Sequence, residues 1–465
     1  MLDNLGNLIT AVADFVCGYP MFLLLIGGGL YLFLSSGMVS LRRLPQALAE
    51  LRIKSDAQNG QISSVQALAS VIGATVGLGN IAGVAIALVV GGPGAIFWMW
   101  VSAIVGMSTK YHEGVLAIMY KGKDNCGRVQ GGPMYIIENG LGKKWRPMAM
   151  FFAVSGMFGT LGIMNANQLT EAVLAAFTTQ EGLANSSFLT QVSGFTGLDN
   201  MHSFRLLFGF AIGIVVSLVV LGGIKRIAQV ATKVVPFMVG SYLLLVLYII
   251  FTNLPQVPGV FDSIFTEAFS FEAGFGGFIG VAIIGARRAA LVNDAGVGTA
   301  SIMHGASKNN EPVREGLIAM LGPSIDSGLV CTLTAIAILL CGDISVEGVK
   351  GLEIAMDAFR NAIPYGDYML MVIVFCFALS SMFSYSFYGN RCANYLFGAG
   401  KGKYYTYFFI ITLVIFAVIP LHAAVGVCDL FYGLMAFPTM ISILILSPKV
   451  RRATKVYFER KEVKE

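Results

Sequence analysis

Apolar stretches long enough to cross about 30 Å of hydrocarbon recur along this chain at residues 16–38, 63–90, 95–119, 148–178, 204–222, 228–252, 273–300, 314–341, 367–390, 404–421 and 425–447. Eleven such runs predict an all-α polytopic membrane protein with eleven transmembrane helices. The polar positions between them are unevenly charged. Lys and Arg gather in alternate loops of membrane proteins, and 28 of the 31 here fall in one set, residues 38–62, 110–147, 225–233, 287–314, 391–403 and 449–464. The opposite set holds Arg205, Lys350 and Arg360 beside Asp262, Glu267, Glu272, Asp343, Glu347, Glu353 and Asp357. This asymmetry predicts an N-terminus outside and a C-terminus in the cytoplasm, in a cell inner membrane or plasma membrane. The first run follows Asp3 and Asp14 rather than Lys or Arg and lacks a cleavage-type ending, so a retained span is expected rather than a signal peptide.

The runs group as one leading span, then five, then five. An odd number of spans per half inverts the second half relative to the first, the symmetry of many secondary transporters. The expected organisation is a leading helix and cytoplasmic loop (1–62), a first five-helix repeat (63–252), a second, inverted five-helix repeat (253–447) and a basic cytoplasmic tail (448–465). The first run of each half is rich in glycine: residues 63–90 hold Gly73, Gly77, Gly79 and Gly83, and residues 273–300 hold "GFGGFIGVAIIG". Glycine-interrupted segments at matching positions of two halves point to a substrate site near the membrane midplane.

Composition sharpens this picture. The chain has 465 residues, 56% of them hydrophobic and 12% charged, too apolar for an ordinary soluble domain. The net charge of +5 follows from the loop bias, so no nucleic-acid partner is expected; the lipid bilayer is the partner. Seven cysteines carry no C-x-x-C pair or metal-ligand spacing, and they read as small apolar core residues. No transition-metal site, nucleophile set or phosphate loop appears, and the chain is not expected to be an enzyme.

The stretch "GATVGLGNIAGVA", residues 73–85, carries the candidate chemistry. Within lipid an unwound turn is tolerated only where a cavity, ion or ligand satisfies the backbone. A break at Gly77–Gly79 would start a half-helix with free N–H groups at Leu78, Gly79 and Asn80, suited to a carboxylate. The preceding half-helix would end with free carbonyls around Gly73–Val76, suited to Na+. The competing reading is that Gly73/Gly77 and Gly79/Gly83 only let two helices pack closely. The matching glycines of the second half, with Thr75 and Asn80, favour the break. A dinucleotide-binding reading fails because no strand precedes the glycines.

Three stretches together, "GATVGLGNIAGVA", "RRAALVNDAGVGTASIMHGASKNNEPVREGLIAMLGPSIDS" and "SSMFSYSFYGNRCANYLFG", resemble the alanine or glycine:cation symporter family, also called the sodium:alanine symporter family. "VGLGN" also resembles the first core helix of neurotransmitter:sodium symporters. The resemblance implies a LeuT-type fold, one leading helix plus a 5+5 inverted repeat with broken first helices, and Na+-coupled uptake of a small neutral amino acid such as alanine or glycine. It implies that Leu78 and Gly79 offer N–H groups to the substrate carboxylate. Gly73 and Val76 would give carbonyls to Na+, completed by the hydroxyls of Ser380 and Ser381, while Thr75 and Asn80 would serve a second ion position or support substrate. Asn165 would contact substrate from the fourth span. Phe278, with Gly277 and Gly280, would line the pocket of the seventh span and offer carbonyls to the ammonium, and Tyr385 would close it. The family pattern carries Thr in place of Leu78, Gln in place of Asn165, Trp in place of Tyr385 and Glu in place of Asp294, so "small amino acid plus sodium" is a firmer expectation than alanine.

Other polar residues lie within the runs. Asp326, in "GPSIDSGLV", reads as an ion ligand, a proton relay or a hydrogen-bonded structural carboxylate. Arg287 and Arg288 read as a gate pairing with Asp294 or Glu113, or as plain topological anchors. Glu171 reads as an external gate or an interhelical partner. Lys110, His112 and Glu113 read as a gate or, as the favoured reading, as a solvated helix end, where their heads can snorkel or pair. Besides sodium symport, two other readings are a proton-coupled transporter of the same fold, driven through Asp326 or Glu171, and a passive channel. A channel would need a continuous polar pathway, yet few runs carry a polar stripe.

Overall fold

Ser63 and Gln66 start the element on which the site depends. Ser63 Oγ accepts the Gln66 N–H at 3.2 Å and Gln66 Oε1 accepts the Ser63 N–H at 3.0 Å, a reciprocal cap that opens a helix over Ser64–Thr75. In the computed structural model, which describes residues 12–13, 15–16, 18–53, 60–177, 182, 186–269, 274–344, 351–418 and 421–463, Val76 and Gly77 are extended and a second helix follows over Leu78–Gly91, bent by 46° from the first. The break expected at Gly77–Gly79 is therefore present but begins one residue earlier, at Val76–Gly77, and Gly79 lies within the second helix.

Among the described residues seven further helical segments are long and apolar enough to cross a membrane: Lys143–Leu174, Asn200–Val220, Gly223–Thr252, Pro312–Cys341, Gly366–Phe397, Ala399–Val418 and Asp429–Lys461. With the bent pair they make eight of the eleven expected spans. The other three expected spans are also helical. Tyr19–Ser35 is shorter, Gly94–Met119 carries Lys110 and Glu113, and Gly274–Val292 carries Arg287 and Arg288.

The second break lies elsewhere than the glycine count predicts. The Gly274–Val292 helix runs unbroken through "GFGGFIGVAIIG", and the chain leaves helical geometry only over Asn293–Gly298 before a short helix, Thr299–Gly305. The reason is visible at Gly285, where an added Cβ would stand 2.2 Å from the Ala95 carbonyl oxygen. A glycine there brings two helices into contact. "NDAGVG" instead combines turn-forming residues with Asp294 at φ +54°, Gly296 at +89° and Gly298 at +97°, left-handed geometry that glycine adopts without strain.

The start of the first half-helix and the end of the Thr299–Gly305 helix are tied together. Gln61 N–H donates to Ala306 O at 2.8 Å and Lys308 N–H to Ile62 O at 2.8 Å. Beneath this join, buried Glu315 accepts from Ser64 Oγ at 2.7 Å, Asn309 Nδ2 at 3.0 Å and His304 Nδ1 at 2.7 Å. The Gly366–Phe397 helix runs through the interior, with Leu370, Phe377, Met382 and Tyr388 fully buried.

Candidate functional site

An extended pair of residues between two helices leaves the last carbonyls of one and the first N–H groups of the next without helical partners. The Gly366–Phe397 helix meets the carbonyl end with three buried serines. Ser380 Oγ donates to Gly73 O at 2.8 Å, Ser381 Oγ lies 3.2 Å from Gly73 O and 3.0 Å from Ala74 O, and Ser384 Oγ donates to Ser70 O at 2.9 Å. A hydroxyl that donates its single proton keeps two lone pairs. Gly73, Ser380 and Ser381 thus gather oxygens at one buried point, the ligand type that hard cations take. Val76 is the extended residue of the break.

On the other side, Gly77 N–H donates to Asn80 Oδ1 at 2.9 Å, so Asn80 caps the second half-helix from within. Leu78 and Gly79 fill its first two positions, where N–H groups have no intrahelical acceptor. Asn80 Nδ2 donates in turn to Asp326, which sits fully buried in a widened, π-type turn over Ser324–Val330. Thr75 Oγ1 lies against the Asp326 carboxylate, and Ser327 Oγ is buried without a hydrogen-bond partner among the described residues. A buried carboxylate is costly unless it is compensated, and a cation among these oxygens would lower that cost. Asp326 therefore joins Thr75 and Asn80 rather than standing alone in its helix.

The two breaks adjoin. Val292, the last residue of its helix, holds its Cγ2 3.7 Å from where Gly79 and Gly83 would each carry a Cβ. The Asn293–Gly298 turn then passes alongside the Gly94–Met119 helix, where Glu113 Oε1 accepts the Gly296 N–H at 2.7 Å. Asp294 accepts from Tyr432 Oη at 2.6 Å and from Thr299 Oγ1 at 3.4 Å, and Tyr385 Oη reaches Tyr432 Oη at 3.3 Å. Tyr385 is thus linked to Asp294 through a tyrosine that the sequence did not single out.

The remaining predicted residues divide. Asn165 is buried one turn beyond Gly162, whose position abuts Met382, the neighbour of Ser381. Gly277 and Gly280 lie in continuous helix, which removes the unwound carbonyls expected there; the side chain of Phe278 lies outside the described residues, as does that of Arg287. Asp294 and Glu113, the carboxylates expected to pair with Arg287 or Arg288, accept from Tyr432, Thr299 and the Gly296 N–H. Glu171 pairs with Arg205 at 2.8 Å, so it is an interhelical partner. Lys110, His112 and Glu113 are not at a solvated helix end: their relative exposures are 0%, 1% and 0%. The signal that finds them is the one-turn spacing of Lys110 and Glu113, which puts both charges on one helix face.

The model of the sodium:alanine symporter family matches residues 2–465. The sodium/alanine symporter AgcS of Methanococcus maripaludis is 36% identical over 97% of this chain and 97% of its own. The probable sodium/glutamine symporter GlnT of Bacillus subtilis is 30% identical over 99% of this chain and 92% of its own. The backbone also matches the crystal structure of MhsT in complex with L-phenylalanine, at a TM-score of 0.55 and 13% identity over 86% of this chain and 99% of that one. The LeuT-type fold expected from the sequence is thus the fold of the chain.

Proposed function

The chain belongs to the sodium:alanine symporter family, and from that premise we propose that it couples inward Na+ movement to uptake of a small neutral amino acid by alternating access. One observation carries the reading: the two helix breaks lie side by side, with Val292 against Gly79 and Gly83. Substrate carboxylate binds the N–H groups of Leu78 and Gly79, and Asn165 and Tyr385 border it. One Na+ takes the carbonyls of Gly73 and Val76 with the hydroxyls of Ser380 and Ser381. The buried oxygens of Thr75, Asp326 and Ser327 beside Asn80 support a second ion position. The five-helix halves, 63–252 and 253–447, rock about this point, with the basic tail, 448–465, in the cytoplasm.

An anion and a cation that enter one buried cavity each lower the desolvation cost of the other, and the coupling is reciprocal. The test is uptake of labelled neutral amino acids, alanine, glycine and glutamine first, into proteoliposomes with and without an inward Na+ gradient. Accumulation of at least one of them only with Na+ supports the reading; equal uptake without Na+ overturns it. Gly79→Val, which adds bulk where Val292 already sits, should abolish uptake while leaving the protein in the membrane. The fully buried Asp326 also suits a proton. Under that second reading Asp326→Asn loses accumulation driven by a proton gradient, whereas under sodium symport uptake by the variant stays independent of the proton gradient and needs a higher Na+ concentration for half-maximal rate.

A further inference from the structure

Lys110 is a buried cation with no use in the site as described. Its Nζ has no hydrogen-bond partner among the described residues. It faces the second break. One turn before it, the Gly106 position abuts Asn293 and Ala295 at 3.0 and 3.3 Å, and one turn after it Glu113 holds the Gly296 N–H. Asp294 lies in the same Asn293–Gly298 turn, and the Ser324–Val330 segment that carries Asp326 packs against the Gly94–Met119 helix.

Three buried carboxyl groups, Glu113, Asp294 and Asp326, therefore lie around the two breaks with the buried Lys110 among them. With Na+ bound at Asp326 the balance improves. Once that ion leaves, reorienting the empty protein would carry uncompensated negative charge through a low-dielectric interior, which is strongly unfavourable. A lysine on a flexible four-carbon stem can move its ammonium, and one held by no hydrogen bond is free to do so.

We propose that Lys110 is a tethered counter-cation: when Na+ departs, its ammonium takes the place of the ion beside the carboxylates around the two breaks, so that the unloaded protein can return to the other side. The proposal rests on the sodium-symport reading and adds to it a residue that acts only in the empty half of the cycle. Exchange of internal for external substrate in saturating Na+ never passes through the empty protein, whereas net uptake does so on every turn.

The experiment compares the two modes in proteoliposomes for wild type, Lys110→Arg and Lys110→Gln. Lys110→Gln should lose net uptake tenfold or more while keeping exchange within about threefold of wild type, and Lys110→Arg should retain both. Equal losses in both modes, or none in either, would overturn the proposal. Should Lys110→Gln fail to reach the membrane, the double variant Lys110→Met with Glu113→Gln removes one excess carboxylate along with the lysine and is read in the same way. Wild-type net uptake that ignores Na+ would refute the symport reading itself. Sodium-dependent wild-type uptake with parallel losses in Lys110→Gln refutes the lysine proposal alone.

Discussion

Ser381 is the residue whose role is most open to direct measurement. Its hydroxyl lies within hydrogen-bond reach of two carbonyls at the end of the first half-helix. As a structural group alone it contributes about 0.5–1.5 kcal/mol to stability. As a sodium ligand it should matter more for ion affinity than for folding. Ser381→Ala is therefore expected to raise the Na+ concentration for half-maximal uptake by about tenfold, equivalent to ~1.4 kcal/mol, with little change in thermal stability. A loss of stability without any change in Na+ dependence would make the serine purely structural. The break beside Leu78 and Gly79 was legible because a glycine pair within an apolar run marks where a helix can be interrupted. Lys110, Glu113 and Tyr432 were not, because burial of a charge is a property of the packed helices and not of the residue's own segment.

At the scale of elements, the first break was visible in the sequence and the second was misplaced. Both glycine-rich stretches look alike as composition, yet Gly285 serves close helix contact while Gly298 serves a turn. Asn-Asp followed by alternating glycines is the stronger turn signal, and it was hidden inside a run counted as one apolar span. The difference is testable at Gly298. With φ at +97° and a Cβ that would stand 2.4 Å from Pro133 Cγ, Gly298→Ala should cost about 1–3 kcal/mol from backbone strain alone. It should also lower the melting temperature of the purified protein and impair uptake. An alanine variant with wild-type melting and uptake would show that the turn is not needed in this form.

Across the whole molecule, charge and hydropathy carried more information than any motif. Two of the three positive residues outside the basic set are engaged in ion pairs, Arg205 with Glu171 and Arg360 with Asp357 and Asp367, so they do not argue against the loop bias. What the pattern did not carry is how the two halves meet: Val292 against Gly79, Glu113 under Gly296, and the Glu315 network joining Ser64 to His304. These contacts span long stretches of chain and depend on the packing of both repeats. They also bring the two helix breaks to a single junction, and the central claim is that substrate and ion share it. The most direct test is the affinity of the purified protein for its transported amino acid, measured in Na+ and again with Na+ replaced by K+ or choline. Binding at least tenfold tighter in Na+ is the predicted result; equal affinity in all three would contradict it.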